Sequence, residues 1–115
     1  MVRAPQQVRG ATIRNDSNGH VQIRIIYTKF PHEPMESNDH IRQTILAQGQ
    51  AHRAEIRTVN AGSYDMAASI EAIEAILANG QQFGLRAPFN GVNTVEADWF
   101  FVVANHGIVS VQRNQ

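Results

Sequence analysis

NAGSYDMAASIEAIEAILANG, which spans residues 60–80, decides the fold class because its apolar residues recur at the spacing of an α-helix. Ser63 is a suitable N-terminal cap, and Asp65 suits the first turn, where the helix dipole favours negative charge. An apolar stripe follows along one helical face and consists of Met66, Ile70, Ile73, Ile76 and Leu77. Asn79-Gly80 then supplies a left-handed stop. The sequence therefore predicts a helix over this stretch.

The segment before it is also predicted to be helical, from Asp39 onward. One helical face collects the apolar residues Ile41, Ile45, Ile56 and Val59. Two outcomes remain open for residues 50–59. Either one long, kinked helix runs to about Thr58, or the helix stops near Gly49 and AEIRTV, residues 54–59, is a strand. We favour the long helix, because the Gln, Ala and Glu residues of this segment are poor strand formers.

The N-terminal part of the chain is typical of a β-hairpin, with strands GATIRND and HVQIRIIYT. A three-residue loop, Ser17-Asn18-Gly19 with Gly19 in the left-handed conformation, pairs Ile13 with Ile23. In that register one face is apolar and consists of Ala11, Ile13, Val21, Ile23, Ile25 and Tyr27. The other face is polar and consists of Thr12, Arg14, Gln22 and Arg24.

The C-terminal stretch ADWFFVVANHGIVSVQR predicts a second hairpin, with a three-residue loop Asn105-His106-Gly107 and Gly107 in the left-handed conformation. That register places Trp99, Phe101, Val103, Val109, Val111 and Arg113 on one face, and Phe100, Val102, Ser110 and Gln112 on the other. A strand that is apolar on both faces is buried on both sides. Helices can cover only one side, so a second subunit is expected on the other, and we predict a homo-oligomer.

Together these elements predict an α+β fold in a single domain, residues 1–115. An antiparallel sheet is built from the N- and C-terminal hairpins, and two helices pack on one face. A hydrophobic content of 43% is enough for a packed core.

Composition excludes several functional classes. The chain has no Cys, which excludes disulfides and thiolate zinc sites and fits a cytoplasmic protein. No apolar run is long enough to span a membrane, and the N-terminus lacks the apolar stretch of a signal peptide. The net charge is zero, which argues against non-specific nucleic-acid binding.

No catalytic or metal-binding motif is present. The spacing of His32, His40, His52 and His106 matches no ligand pattern. The serines lie at expected cap, turn or strand positions without a glycine elbow, and no glycine motif cradles phosphate. We therefore expect a protein that is not an enzyme and that carries neither a metal nor a cofactor.

The long segment at residues 81–97 is predicted to be a loop that serves a ligand. Its central part, FGLRAPFNGVN (residues 83–93), combines residue types that suit a nucleotide. Phe83 can stack on a base, Arg86 can neutralise phosphate, and Asn93 can form hydrogen bonds with a base edge. In the alternative interpretation the loop is a lid whose Phe83 and Phe89 fill the core.

Arg53 and Arg57 face the same way whether their segment is helical or extended. Such a pair is most often a solvated face with ion pairs to Glu55 or Glu33. The alternative is a phosphate clamp.

In size and order of parts, this set of a hairpin, two helices, a long aromatic loop and a final hairpin tipped by Arg113 resembles the bacteriophage Thoeris anti-defence sponges. Those proteins sequester cyclic ADP-ribose-type immune signals, and some hold cyclic oligonucleotides, in pockets between the subunits of an oligomer. The family uses an aromatic side chain, an Asn and Arg side chains from the opening and closing strands. The resemblance implies that Phe83, Asn93, Arg24 and Arg113 fill these places.

We therefore expect a non-enzymatic protein that sequesters a small, anionic, nucleotide-derived signal at an oligomer pocket in the host-cell cytoplasm. The candidate ligand-binding residues are Arg24, Phe83, Arg86, Asn93 and Arg113. The alternative is a small protein–protein interaction or inhibitor module that acts through exposed aromatic residues.

Overall fold

The computed structural model describes residues 7–30, 32–33, 36, 40–60, 62–87, 89, 95–96 and 98–111, and every regular element in this part of the chain is a β-strand. The predicted α+β class, with two helices packed on one face, is wrong. The strands are β1 (Gln7–Val8), β2 (Ala11–Asn15), β3 (Val21–Tyr27), β4 (Ile41–Leu46), β5 (Ala51–Ala54), β6 (Arg57–Asn60), β7 (Asp65–Ala68), β8 (Ile70–Leu77), β9 (Gln82–Arg86), β10 (Val95–Glu96), β11 (Trp99–Ala104) and β12 (Gly107–Val111).

Two four-stranded sheets form a β-sandwich. The front sheet has the strand order β4-β3-β8-β9, and the back sheet has the order β12-β11-β2-β5. All neighbours in the front sheet are antiparallel, whereas β2 and β11 in the back sheet are parallel. A parallel pair β1–β10 and an antiparallel pair β6–β7 complete the regular structure of the described residues. No helix that could cross a bilayer occurs in the part of the chain that the structure describes.

The core lies between the two sheets and is filled by the inward-facing side chains of both. The back sheet contributes Ala11, Ile13, Trp99, Phe101 and Val103, and the front sheet contributes Val21, Ile23, Ile25, Ile73, Ala75 and Leu77. Along β2, β3 and β11, buried residues alternate with more exposed ones, which is the period of a strand with one face in the core.

The helix predicted over residues 60–80 is replaced by β7 and β8, and a β-bulge explains why the sequence pattern is misleading. Ile26 pairs with Ala72, but Tyr27 pairs with Ile70, so Glu71 is an extra residue in β8. The bulge shifts the alternation by one position, so that Ile70 and Ile73 both face the core. Their three-residue spacing therefore imitates a helical stripe.

The segment predicted as a long helix from Asp39 forms β4, a turn, β5 and β6 instead. Neither outcome considered for residues 50–59 is correct as a whole, although residues 57–59 of the strand in the second outcome belong to β6. Gly49 has a positive φ of 84° in the turn, and its N–H donates to the carbonyl of Asn15 at 2.8 Å. β5 is a strand despite its unfavourable residues, because β2 supplies a partner in the register Ile13↔His52.

For the first hairpin, the predicted faces are confirmed, but the predicted pairing is wrong. The alternation of a strand identifies its buried face without identifying its neighbour, and β2 and β3 lie in different sheets. Residues 16–20 connect β2 to β3 as an arch between the two sheets, and buried Asn15 stabilises this arch. Its Nδ2 donates to the carbonyls of Gly19 at 2.8 Å and Leu46 at 3.0 Å. Gly19 does not have a positive φ; a Cβ there would lie 3.1 Å from the Cβ of Ala78, so this glycine permits close packing.

The closing hairpin is confirmed, but its register differs by one residue from the predicted one. Ala104 pairs with Gly107, which has a positive φ of 156°, and the turn has two residues. The observed register places Ser110 on the face of Trp99, whose buried indole N–H donates to Ser110 Oγ at 2.8 Å. The outer face of this hairpin now carries Phe100, Val102, Val109 and Val111.

Candidate functional site

The outer face of the front sheet is arranged in three rows of residues across its four strands. In the middle row, Arg24 lies opposite both Gln43 and Glu74, and Gly84 follows on β9. One flanking row consists of Ile45, Gln22, Ile76 and Gln82, and the other consists of Ile41, Ile26, Ala72 and Arg86. This face is therefore mixed, with isoleucines on both sides of a central charged pair.

The central pair is an ion pair at the surface. Arg24 Nε donates to Glu74 Oε1 at 2.8 Å, and the two side chains are 47% and 37% exposed. Such a pair contributes only about 0.2–1 kcal/mol to stability. The half-exposed guanidinium and carboxylate present a donor group and an acceptor group side by side, which suits recognition more than stabilisation.

A trough of about 460 Å³ lies over this pair, bordered by polar residues of β3, β4 and β9 and by Ile76. Gly84 leaves room in the trough because it has no side chain. An added Cβ would lie 3.9 Å from Glu74 Cγ and would occupy space that is now open. Ile45 and Ile76, in the row beside the pair, are 66% and 39% exposed. The trough thus combines amide, charged and aliphatic groups.

The structure brings two of the predicted site residues to this face and separates a third from it. Arg24 lies in the trough, and Arg86 lies on the same face in the next row. Phe83 borders the trough, but it pairs with buried Ala75 and packs partly against the core, so its ring lies on the inner side of the sheet. Asn93 and Arg113 lie outside the described residues.

The sequence reasoning missed Gln43, Glu74 and Ile76 as parts of this face. All three belong to segments predicted to be helical, so their alignment beside Arg24 could not be recognised. The signal that could have revealed them is the polar alternation of Gln22 and Arg24, which continues across the sheet once β4 and β8 are recognised as strands.

Two parts of the segment predicted as a loop are strands, β9 and β10, so the expectation of a loop over residues 81–97 is wrong at Gln82–Arg86 and at Val95–Glu96. Phe89 is 5% exposed, and its ring meets that of Phe101 edge-on at a centroid distance of 5.0 Å. The core-lid interpretation therefore holds for Phe89.

Arg53 and Arg57 have the partners of the first interpretation, but the expected solvated face is wrong for Arg57, which is buried. Arg57 is 8% exposed, donates to both carboxylate oxygens of Glu33, and also donates to the carbonyl of Thr28 at 3.1 Å. The hydrogen bonds from Arg57 to Glu33, together with the bond from the N–H of Phe30 at 2.6 Å, lower the pKa of Glu33 to about 2. Arg53 lies 3.8 Å from Glu55 at the surface. The Arg57 guanidinium is thus committed to a structural ion pair.

Among the described residues, no three His, Asp or Glu side chains are grouped so that they could bind a metal ion.

No protein-family model matches the chain, and the search of curated proteins gave no match. Among solved structures, the chain is similar to Serratia marcescens Lip, described as a membrane bound component of the Type VI Secretion System. The alignment covers 92% of this chain and 99% of that chain, at 12% identity and a TM-score of 0.43. A similarity at this level assigns no function, and it does not test the resemblance to the Thoeris anti-defence sponges.

Proposed function

We propose that this protein is a non-enzymatic binding module that holds a protein partner on the outer face of its front sheet. The observation that carries this proposal is the exposure of Ile45 and Ile76 in one row, 66% and 39%, beside the Arg24–Glu74 pair. A patch that combines exposed aliphatic side chains with polar groups is typical of surfaces that bind other proteins. A cytoplasmic location, expected for a chain without Cys, is part of this proposal.

The chemistry of the trough favours a polypeptide over a phosphate compound. Glu74 places a carboxylate 2.8 Å from Arg24, so a phosphate in the trough would meet a negative charge beside the positive one. Glutamine side chains both donate and accept hydrogen bonds, and three of them border the trough: Gln22, Gln43 and Gln82. Amide groups of this kind complement the N–H and C=O groups of a peptide backbone.

A small, anionic, nucleotide-derived ligand is the second candidate, and one observation favours it. Arg24 and Arg86 share a face beside a trough of about 460 Å³, a volume within the usual range of small-molecule sites, about 300–1,000 Å³. Binding of this kind requires Glu74 to release Arg24. It also has to proceed without base stacking on Phe83, whose ring lies on the inner side of the sheet.

Self-association is proposed at a different surface, the outer face of the hairpin formed by β11 and β12. Phe100, Val102 and Val111 are half-buried there, and Val109 is 48% exposed. A second copy of the chain would cover this apolar face, as the sequence pattern suggests.

Site-specific photo-cross-linking tests the binding face. A benzophenone amino acid replaces Ile45, and the matched control carries it in place of Tyr64, which is similarly exposed, 61%, in the β6–β7 connection. In cells of the source organism, we expect one adduct of defined mass from position 45 and none of that mass from position 64. The same adduct from both positions, or none from position 45, contradicts the proposal.

Thermal denaturation with ADP-ribose separates the two candidate ligands. A rise in Tm that Arg86→Ala abolishes would establish the small-ligand function and reject a face that binds only proteins. We expect no change in Tm.

A further inference from the structure

A second concave surface lies at one open side of the sandwich, between β4 of the front sheet and β5 of the back sheet. This edge groove has a volume of about 430 Å³. Its floor includes Tyr27, which is 3% exposed and whose hydroxyl donates to the carbonyl of Glu55 at 2.6 Å. The groove therefore has a firmly held residue in its floor, and it adjoins the trough on the outer face, with which it shares Gln43.

The wall that β4 provides is a sheet edge. Among the described residues, β4 pairs with β3 on one side and with no strand on the other. Its sequence, IRQTIL, contains neither Pro nor Lys, the residues that commonly protect an edge from pairing with another chain. Six residues are long enough to accept an extended segment as an added strand, a common mode of peptide recognition.

The charged residues along the edge groove are mainly basic. Arg42 lies on β4 and Arg53 on β5, and half-buried His52 lies beside Arg53. Glu55 is the acidic residue nearby, but its distance of 3.8 Å from Arg53 and its 81% exposure make that attraction weak. Arg57 is neutralised by Glu33. Basic side chains therefore outnumber acidic ones along the groove.

Aliphatic side chains complete the groove. Ile41 is half-buried, and Ile56 is 43% exposed. Because successive side chains of an extended peptide point to opposite faces, a strand bound here could place every second residue against these isoleucines. The residues between them would then turn toward the arginines.

We propose that the edge groove binds an extended acidic peptide segment, which pairs with β4 as an added strand and sets carboxylates against Arg42 and Arg53. This proposal does not rest on the partner proposed for the front face, although Gln43 borders both surfaces. The recognised chemistry is a polypeptide with alternating acidic and aliphatic residues, because basic side chains border the groove and isoleucines provide its apolar contacts.

Fluorescence anisotropy with a labelled, blocked peptide of alternating glutamate and valine tests this proposal. A peptide of alternating lysine and valine is the comparison. We expect the acidic peptide to bind at least tenfold more tightly, and Arg42→Glu or Arg53→Glu to weaken it by at least tenfold. Arg14→Glu is the matched control, since Arg14 lies one strand further in, is held by Asp16 at 2.7 Å, and does not line the groove. The assay is run in about 0.15 M salt, which screens charges farther than about 8 Å from the peptide, so that the variants report nearby charges.

Backbone methylation tests the added strand itself. Alternate N–H groups of a bound strand face β4, so methylating one alternate set should abolish binding, whereas methylating the other set should not. If the Glu variants have a lower Tm than the wild type, Arg42→Gln and Arg53→Gln are used in their place. Equal binding of acidic and lysine peptides, or acidic binding that neither methylated set disturbs, would overturn the proposal. Arg53→Glu should weaken peptide binding and leave the cross-link at position 45 unchanged, because Arg53 does not border the trough, so the two proposals fail separately.

Discussion

Replacing Arg57 by methionine should destabilise the protein by about 3–5 kcal/mol, the usual effect of removing one partner from a buried ion pair. The Arg57 and Glu33 side chains are each only 7% exposed. Arg57 also donates to the carbonyl of Thr28, so it ties the connection after β3 to β6. Methionine keeps the aliphatic stem but leaves the Glu33 carboxylate buried without its cation.

The double variant Arg57→Met/Glu33→Gln separates the lost charge pair from lost packing. Removing both charges should recover much of the stability, because neither ion then remains buried alone. The Arg57→Lys variant should be less stable than the wild type, since a Lys ammonium cannot reproduce the bidentate contact of the guanidinium.

The same pair predicts how stability depends on pH. The hydrogen bond from Arg57 is the largest cause of the lowered Glu33 pKa, about 2 against an ordinary 4.5. A lowered folded-state pKa contributes stability that is present above pH 4.5 and is lost as the pH falls toward 2. The contribution is on the order of 3 kcal/mol. Arg57→Met should lose most of this dependence.

Urea unfolding, followed by the fluorescence of Trp99 at pH 7, 4 and 2.5, measures both effects. Trp99 is the single Trp of the chain and is 4% exposed, so its emission reports unfolding of the core. A loss below about 1 kcal/mol for Arg57→Met at pH 7, with an unchanged acid dependence, would refute the interpretation of a buried, coupled pair.

Three further substitutions test the arch and the self-association surface. Asn15→Leu should destabilise by about 2–3 kcal/mol, because it leaves the Leu46 carbonyl without its donor; a calorimetric loss below about 0.5 kcal/mol would contradict this role. Gly19→Val should lower the stability by about 1–3 kcal/mol, because the new Cβ lies only 3.1 Å from that of Ala78; an unchanged Tm would mean that the two turns do not pack. Val109→Asp should convert the proposed homo-oligomer to a 12.8 kDa monomer in sedimentation equilibrium, and a wild-type protein that is itself monomeric at micromolar concentration would reject the proposed assembly.

The sequence pattern predicts which side chains are buried in β2 and β3, because a period of two fixes the face of a strand. It does not predict that these strands lie in different sheets, because the buried face of β2 is the same whether it pairs with β3 or faces it across the core. In β8, the bulge at Glu71 brings Ile70 and Ile73 to one face. Helical spacing and a bulged strand are indistinguishable there from local pattern alone.

The candidate site is predictable only where its strand was recognised. The regular alternation of β3 places Arg24 on the polar face, and its choice as a site residue rests on the family resemblance, whereas Glu74 and Gln43 lie in segments that the pattern assigns to helices. Phe83 was misleading for another reason: an aromatic residue next to glycine and arginine suggests a ligand loop, but its pairing with Ala75 turns the ring toward the core.

The proposed binding face is tested most directly by the amide chemical shifts of isotopically labelled protein. These are recorded during titration with the partner protein that cross-linking at position 45 identifies. We expect the largest shifts on the outer face of the front sheet, at Gln22, Arg24, Glu74 and Gly84, with β11 and β12 little changed. Shifts confined to β11 and β12, with the amides of the front sheet unmoved, would contradict the proposal that this face binds the partner.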